Sequence, residues 1–311
     1  MNSTKKKYSG VAIPMATPAL RTGKVDAETM GKLAQVISQS GGIPFVLGTT
    51  GEALSIPRNE AAQLVSSVRD AVHGNGPIYV GISGINPSDT LQSAKDYADK
   101  GVSAGVVHLP YYYPLTNDQI LSYYEEIASK SPIPVILYNI PATTKISIPL
   151  EIIETLSHHE NIVGLKDSER DDERLKEACE RWRDRMDFSF FVGWGAKLVE
   201  GTHLGADGLA PSTGNIVPKL CVDLFNAAVK GDQELATKHQ EMHDKISTLY
   251  QGAGRTLGQS LATLKMILKH LGLGEGGMIP PLTMLDANEE EKVRIKVLEW
   301  IEAGHLERLG D

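Results

Sequence analysis

Residues 161–168, Asn-Ile-Val-Gly-Leu-Lys-Asp-Ser, are an apolar, strand-forming run that finishes on Lys166. Charged side chains are seldom buried without a partner, so a lysine in that place either surfaces into water or is held for its amine. An amine in a partly dry cavity has a definite use. Desolvation disfavours the ammonium, and the free amine adds to a ketone or aldehyde to form a Schiff base. Once protonated, the imine draws electrons and lets a neighbouring C–C or C–O bond break. A proton shuttle is also needed, for which the phenol of Tyr138 in "PVILYNIP" is suited if hydroxyls such as Thr49 and a second tyrosine relay protons to it. A substrate carboxylate needs an anchor, and the N–H groups and hydroxyls of the turn Gly48-Thr49-Thr50-Gly51 can provide one.

These residues are far apart in the chain, so the elements between them decide whether they meet. Short β-rich runs recur: "GVAIPMA", "GIPFVLG", "PIYVGI", "AGVVHLP", "PVILYNIP", "NIVGLK", "FSFFVGW" and "DGLAPS". Between them lie amphipathic stretches, with helices expected at 26–39 closing at Gly41, 58–72 closing at Gly74, 88–100 closing at Gly101, and 117–129. The strands repeat at about 27 to 34 residues, shortening to about 18 at the end, the length of a β-loop-α-loop unit. Their nearly continuous apolar character means cover on both faces, hence a parallel sheet. Such strands with intervening helices most simply close into a (β/α)8 TIM barrel over 1–230, an open doubly wound sheet being the alternative. Beyond Lys230 only helical patterns remain, near 232–250, 256–271 and 288–303, which reads as a C-terminal helical extension over 231–311.

In a barrel of this kind the chemistry sits in loops at the carboxyl ends of the strands. Polar residues collect there: "GTTGE" after strand 2, "PYYYP" (110–114) after strand 4, Tyr138 and Asn139 ending strand 5, Lys166 ending strand 6, "GWG" (193–195) after strand 7 and "STGN" (212–215) after strand 8. Substrate contacts are therefore expected from Gly48, Thr50, Ser168, Gly193, Trp194 and Ser212.

Composition narrows the partners. The chain has 311 residues, 41% hydrophobic and 23% charged, with 31 basic against 39 acidic side chains and a net charge of −8, and no basic stripe beyond Lys5, Lys6 and Lys7, so nucleic acid is not expected. Cys179 and Cys221 make neither a disulfide framework nor a metal-ligand spacing, as in a reducing cytoplasm. Pro14 and Pro18 interrupt the helical segment a secretory signal requires, and no run reaches the length of a membrane span.

Taken in order, "GTTGE", "PYY", "YNIP", "GLKDS", "GADG" (205–208) and the late "PPL" (280–282) resemble the dihydrodipicolinate synthase / N-acetylneuraminate lyase family of pyruvate-dependent class I aldolases. The resemblance implies Lys166 as the Schiff-base residue, Tyr138 as general acid/base, Thr49 as its relay partner and Thr50 on the pyruvate carboxylate. It implies Tyr112 completing the proton relay by crossing from a neighbouring subunit, hence at least a dimer and typically a homotetramer built as a dimer of dimers, with a small 2-oxo acid and an aldehyde as substrates and neither cofactor nor metal. Departures matter too. Thr143 stands where synthases of the family carry an arginine for a second carboxylate, and Lys145 where glycine is usual. "YNIPA" and "YYP" look more like sialic acid lyases and sugar-acid aldolases, although "GWGAK" lacks the acidic pair of sialic acid lyases. "GLKDS" with a neutral residue in the arginine position also resembles 2-keto-3-deoxy sugar-acid and 4-hydroxy-2-oxoglutarate aldolases, with Trp194 an apolar or stacking contact. Two other readings are a phosphate-handling barrel with "STGN" as cradle and a non-catalytic pyruvate-binding relative.

Two motifs are set aside. "GLGEGG" (272–277) follows a helix rather than a strand and runs into prolines, so it fails as a dinucleotide fingerprint. "HQEMH" (239–243) lacks the glutamate position of a zinc-protease helix and reads as a solvated face.

Overall fold

The structure, a computed structural model, describes residues 6–72, 76–252 and 254–310; Gly74 and Lys5 lie outside the described residues. Eight parallel strands close on themselves in sequence order. They are β1 (Gly10–Pro14), β2 (Ile43–Val46), β3 (Tyr79–Gly81), β4 (Ala104–His108), β5 (Val135–Asn139), β6 (Ile162–Asp167), β7 (Ser189–Val192) and β8 (Gly208–Leu209). Helices α1 (Ala27–Gln39), α2 (Arg58–Ala71), α3 (Pro87–Ala98), α4 (Asn117–Lys130), α5 (Pro141–Thr144), α6 (Leu150–Leu156), α7 (Asp172–Trp182), α8 (Leu198–Leu204) and α9 (Pro218–Lys230) lie between and after the strands. Then follow α10 (Gln233–Ser247), α11 (Leu257–His270) and α12 (Ala287–Glu302). This is the expected (β/α)8 barrel rather than the open sheet.

The strands alternate between two cores. Val11, Val46, Val80, Val107, Leu137, Leu165 and Val192 face outward under the helices, whereas Ala12, Phe45, Tyr79, Val106, Ile136, Tyr138 and Phe191 fill the barrel interior. Both faces are dry, which is why the runs carry so few polar residues. Several helices start where a side chain satisfies a free N–H group of the first turn. The third begins at Pro87 rather than 88, because Asn86 accepts from the Asp89 amide ahead of a proline at the first helical position. Thr116 with Gln119 and Thr256 with Gln259 form reciprocal capping boxes on α4 and α11.

One irregularity bears on the site. Val135 pairs with Ile162 but Ile136 pairs with Gly164, so β6 carries one extra residue, Val163. A bulge of this kind resets the strand's two-residue alternation. Both Val163 and Tyr138 belong to the interior cluster, and Tyr138 pairs with Lys166, so Lys166 faces inward three residues after Val163, where strict alternation would turn it outward.

Candidate active site

Lys166 is 6% exposed and its Nζ lies 4.0 Å from the ring centroid of Tyr138 and 4.8 Å from that of Phe45. Three lysines are buried among the described residues. Lys6 pairs with Asp207 and Lys265 with Glu52, while Lys166 has no carboxylate partner and no hydrogen bond. A buried charge is normally paired, so an amine contacting only aromatic rings at the edge of a cavity is placed for something other than stability.

That cavity, about 670 Å³ in volume, opens at the carboxyl ends of the strands, and Lys166, Tyr138, Thr49, Thr50, Ser168, Gly193, Trp194 and Ser212 all line it. Gly48 and Thr143 lie instead on an adjoining chamber of about 290 Å³, whose walls include Thr49 and Tyr138 again. Tyr112 lines neither; it is 74% exposed, stacked edge-on against Tyr113.

The turn after β2 leaves two of its amides without a partner among the described residues. Gly51 and Glu52 donate their amides to the carbonyls of Gly48 and Thr49, and the Thr17 hydroxyl donates to the Gly51 carbonyl at 2.7 Å. Among the described residues the amides of Thr49 and Thr50 have no such partner and stay available to a carboxylate. Leu47 and Glu52, which bracket the turn, both hold the left-handed backbone conformation, with φ of 58° and 56°. Such strain persists only where surroundings enforce it. Here the enforcement comes from the Glu52 carboxylate, which is buried against the Lys265 ammonium and accepts from the Ile279 amide at 2.9 Å. Lys145 is likewise left-handed, at φ 61°, which accounts physically for a glycine suiting that position.

Behind the amine, the outward side chains of β5 and β6 are laced together. Asp167 accepts from Asn139 Nδ2 at 3.0 Å, from the Glu169 amide at 2.8 Å and from Arg174 Nε at 2.7 Å. Burial pushes the Asp167 carboxyl upward against the opposing pull of the Arg174 guanidinium. The "KDS" that closes the run is thus one residue facing the cavity, one locking the strand ends, and a third, Ser168, returning to the cavity wall. At Gly193 a Cβ would collide with the Ser168 hydroxyl and with the Asp167 carbonyl. Gly193→Ala is therefore expected to lower the melting temperature by several degrees, the size of an overpacking strain of about 1–3 kcal/mol, which a thermal unfolding scan checks.

The mouth departs from expectation at two places. "STGN" spends its polar atoms on the protein: Ser212 and Thr213 hydroxyls meet the Tyr250 phenol at 2.7 and 3.0 Å, and the Asn215 amide bridges the Pro14 carbonyl and the Ala16 amide. Its side chains are therefore already engaged with the protein. "HQEMH" is not a solvated face. His243 is 2% exposed, its Nδ1 sits 3.0 Å from Asp244, and α10 leans over the mouth so that His243, Asp244 and Ser247 join the cavity wall. Helical spacing alone cannot show which face the barrel covers. A third residue was missed altogether. His108 ends β4 with the inward parity of Ala104 and Val106, and pairs with Tyr138. That parity in "AGVVH" was the signal that could have found it.

Cys179 and Cys221 are buried and their thiols are pushed up to about 12 by burial, which leaves them inert. No helix among the described residues is long and apolar enough to cross a membrane, and none of their His, Cys, Asp and Glu side chains form a group of three that could hold a metal.

The dihydrodipicolinate synthetase family model matches residues 7–299. A DapA-like lyase of Halobacterium salinarum is 30% identical over 283 residues, 90% of each chain. Among solved structures, dihydrodipicolinate synthase of Bacteroides thetaiotaomicron superposes with a TM-score of 0.88 at 29% identity, covering 95% of this chain and 99% of that one. The chloride-inhibited synthase of Acinetobacter baumannii, complexed with pyruvate, gives 0.85 at 26% identity, covering 96% and 99%. A buried, unpaired lysine beside a phenol at the mouth of a barrel that matches theirs from end to end places the chain among them: it belongs to the dihydrodipicolinate synthetase family and is a class I lyase of that family.

Proposed function

We propose that the protein interconverts pyruvate plus an aldehyde and a longer 2-oxo acid through a Schiff base on Lys166. The observation that carries this is the isolation of the Lys166 amine, the one buried lysine among the described residues without a carboxylate. Pyruvate would place its carboxylate on the Thr49 and Thr50 amides and its carbonyl carbon on Lys166, with Tyr138 exchanging the protons. The imine itself is the electron sink, so the reaction calls on no cofactor or metal. Thr49 serves as relay partner, and Ser168, Gly193, Trp194 and Ser212 bound the space beyond C3, with Gly48 and Thr143 shaping the adjoining wall. Tyr112, exposed here, is read as reaching a neighbouring copy in a homotetramer of paired dimers. We take 1–230 as the barrel, 231–311 as a helical extension whose α10 closes one side of the mouth, and the cytoplasm as the location.

The aldehyde half is read as a polyol or hydroxy acid, giving a 2-keto-3-deoxy sugar acid or 4-hydroxy-2-oxoglutarate as the longer partner. Polar Ser168, Ser247, Thr248 and Gln251 beside Trp194 suit such a chain. Pyruvate release from a panel of 4-hydroxy-2-oxo acids, read by a coupled lactate dehydrogenase, tests it; release from none, with pyruvate still bound, would leave a non-catalytic binder. A second reading is condensation of pyruvate with aspartate semialdehyde, favoured by the solved synthases above and by Arg170 on the cavity wall, a guanidinium that could take the second carboxylate which Thr143 cannot. Pyruvate consumption with aspartate semialdehyde alone in an aldehyde panel would select it.

A further inference from the structure

His108, Tyr138 and Lys166 occupy one row of the barrel interior. His108 pairs with Tyr138 across β4 and β5, and Tyr138 pairs with Lys166 across β5 and β6. The phenol therefore stands between an amine on one side and an imidazole on the other. Its ring is 4.0 Å from Lys166 Nζ, and its centroid is 6.3 Å from that of His108, edge to face at 68°. The two chambers at the barrel mouth repeat this order. Lys166 lines the larger, His108 the smaller, and Tyr138, Thr49 and Leu257 form the wall common to both. Whatever proton Tyr138 takes from a substrate on the Lys166 side can leave on the His108 side without crossing the substrate.

The imidazole is prepared for that task. Its Nδ1 lies 2.8 Å from the Leu109 carbonyl, which can only accept, so Nδ1 carries the hydrogen and the Nε2 lone pair is left for the chamber. The Ser83 hydroxyl accepts from the His108 amide at 2.8 Å and holds the strand end in place. Burial, with the Lys166 charge adding to it and the Leu109 hydrogen bond opposing, lowers the imidazole below its ordinary value, so it is neutral at pH 7 and gives a proton up readily once it has taken one. The titratable groups facing it are Tyr138, Lys166, Tyr111 after β4, and Glu52 from the turn after β2, which is held by Lys265.

We propose that His108 is an additional proton-relay residue behind Tyr138, acting through the phenol and the Thr49 hydroxyl or a bridging water. The proposal rests on the Schiff-base reading of Lys166. In the forward step the C3–H bond of the pyruvyl iminium breaks and its electron pair forms the enamine double bond. The proton goes to the Tyr138 oxygen as the phenolic proton passes through the bridge to Nε2, whose lone pair forms the new N–H bond. One positive charge moves from iminium to imidazolium, and nothing is oxidised or reduced. The imidazolium then releases its proton into the smaller chamber.

The test needs no knowledge of the aldehyde. Loss of the pyruvate methyl signal in D2O, followed by NMR with the full-length protein, reports enamine formation. The wild type is expected to exchange the methyl hydrogens with an acid limb that lies below the ordinary imidazole range, because the protonated imidazole cannot accept. His108→Ala and the space-filling His108→Phe are expected to slow exchange about 10²-fold and to lose that limb, while reductive trapping of pyruvate keeps its full stoichiometry. Added imidazole should restore exchange in His108→Ala but not in His108→Phe, which a purely structural role would not produce. Full trapping with unchanged exchange and an unchanged acid limb in both variants would overturn the assignment of His108 alone. No pyruvate adduct on the wild type would contradict the Schiff-base reading and this relay with it.

Discussion

Lys166→Met is expected to abolish pyruvate chemistry and at the same time to make the protein more stable. Without the amine no imine forms, and turnover falls on the order of 10⁵-fold, as when a covalent nucleophile is removed and only binding remains. The stability change has the opposite sign because the native amine, at 6% exposure with aromatic rings for neighbours, is a buried polar group with no hydrogen-bond partner among the described residues. Methionine fills nearly the same volume without the desolvation cost, so melting is expected to rise by about 2 °C, the size of a typical gain when function-bound strain is removed. Differential scanning calorimetry on both proteins checks the sign. A fall of several degrees would mean that Lys166 is a structural element and would remove the physical reason for treating it as reactive.

Lys265→Met, far from the substrate cavity in sequence, should be strongly destabilising. The ammonium and the Glu52 carboxylate are both buried, and burial lowers the lysine against the pull of that carboxylate. Removing one member of such a pair strands the other, at a cost of about 3–5 kcal/mol. Urea unfolding of Lys265→Met should show that loss, and the double variant with Glu52→Gln should recover much of it, since the stranded charge is then gone. Glu52 also holds the left-handed end of the turn that carries Thr49 and Thr50. Pyruvate capture by the single variant is therefore expected to weaken along with stability, which ties α11 to the anion-binding turn.

Much of this was legible in the sequence because dry, two-faced strands leave a continuous apolar record. The strand runs, the glycine stops and the polar residues at strand ends together located the mouth, and Lys166, Tyr138, Thr49, Thr50, Ser168, Gly193, Trp194 and Ser212 line one cavity. What was not legible depends on three-dimensional facts with no local signature. The bulge at Val163 sets which way Lys166 points, yet it is a property of pairing with β5. His243 was read as solvated because its exposure depends on how α10 leans over the barrel. The hydroxyls of "STGN" were free in the sequence and are consumed by Tyr250, a residue from the turn after α10. His108 was hidden by its surroundings, since one polar residue at the end of an apolar run resembles an ordinary strand terminus.

The most direct test is reduction of the protein with borohydride in the presence of pyruvate, followed by intact-mass and peptide analysis. One pyruvate-derived adduct per chain, carried on the peptide containing Lys166 and missing from Lys166→Met, is the predicted result. An unmodified chain, or an adduct on an exposed lysine such as Lys176 with position 166 untouched, would contradict it.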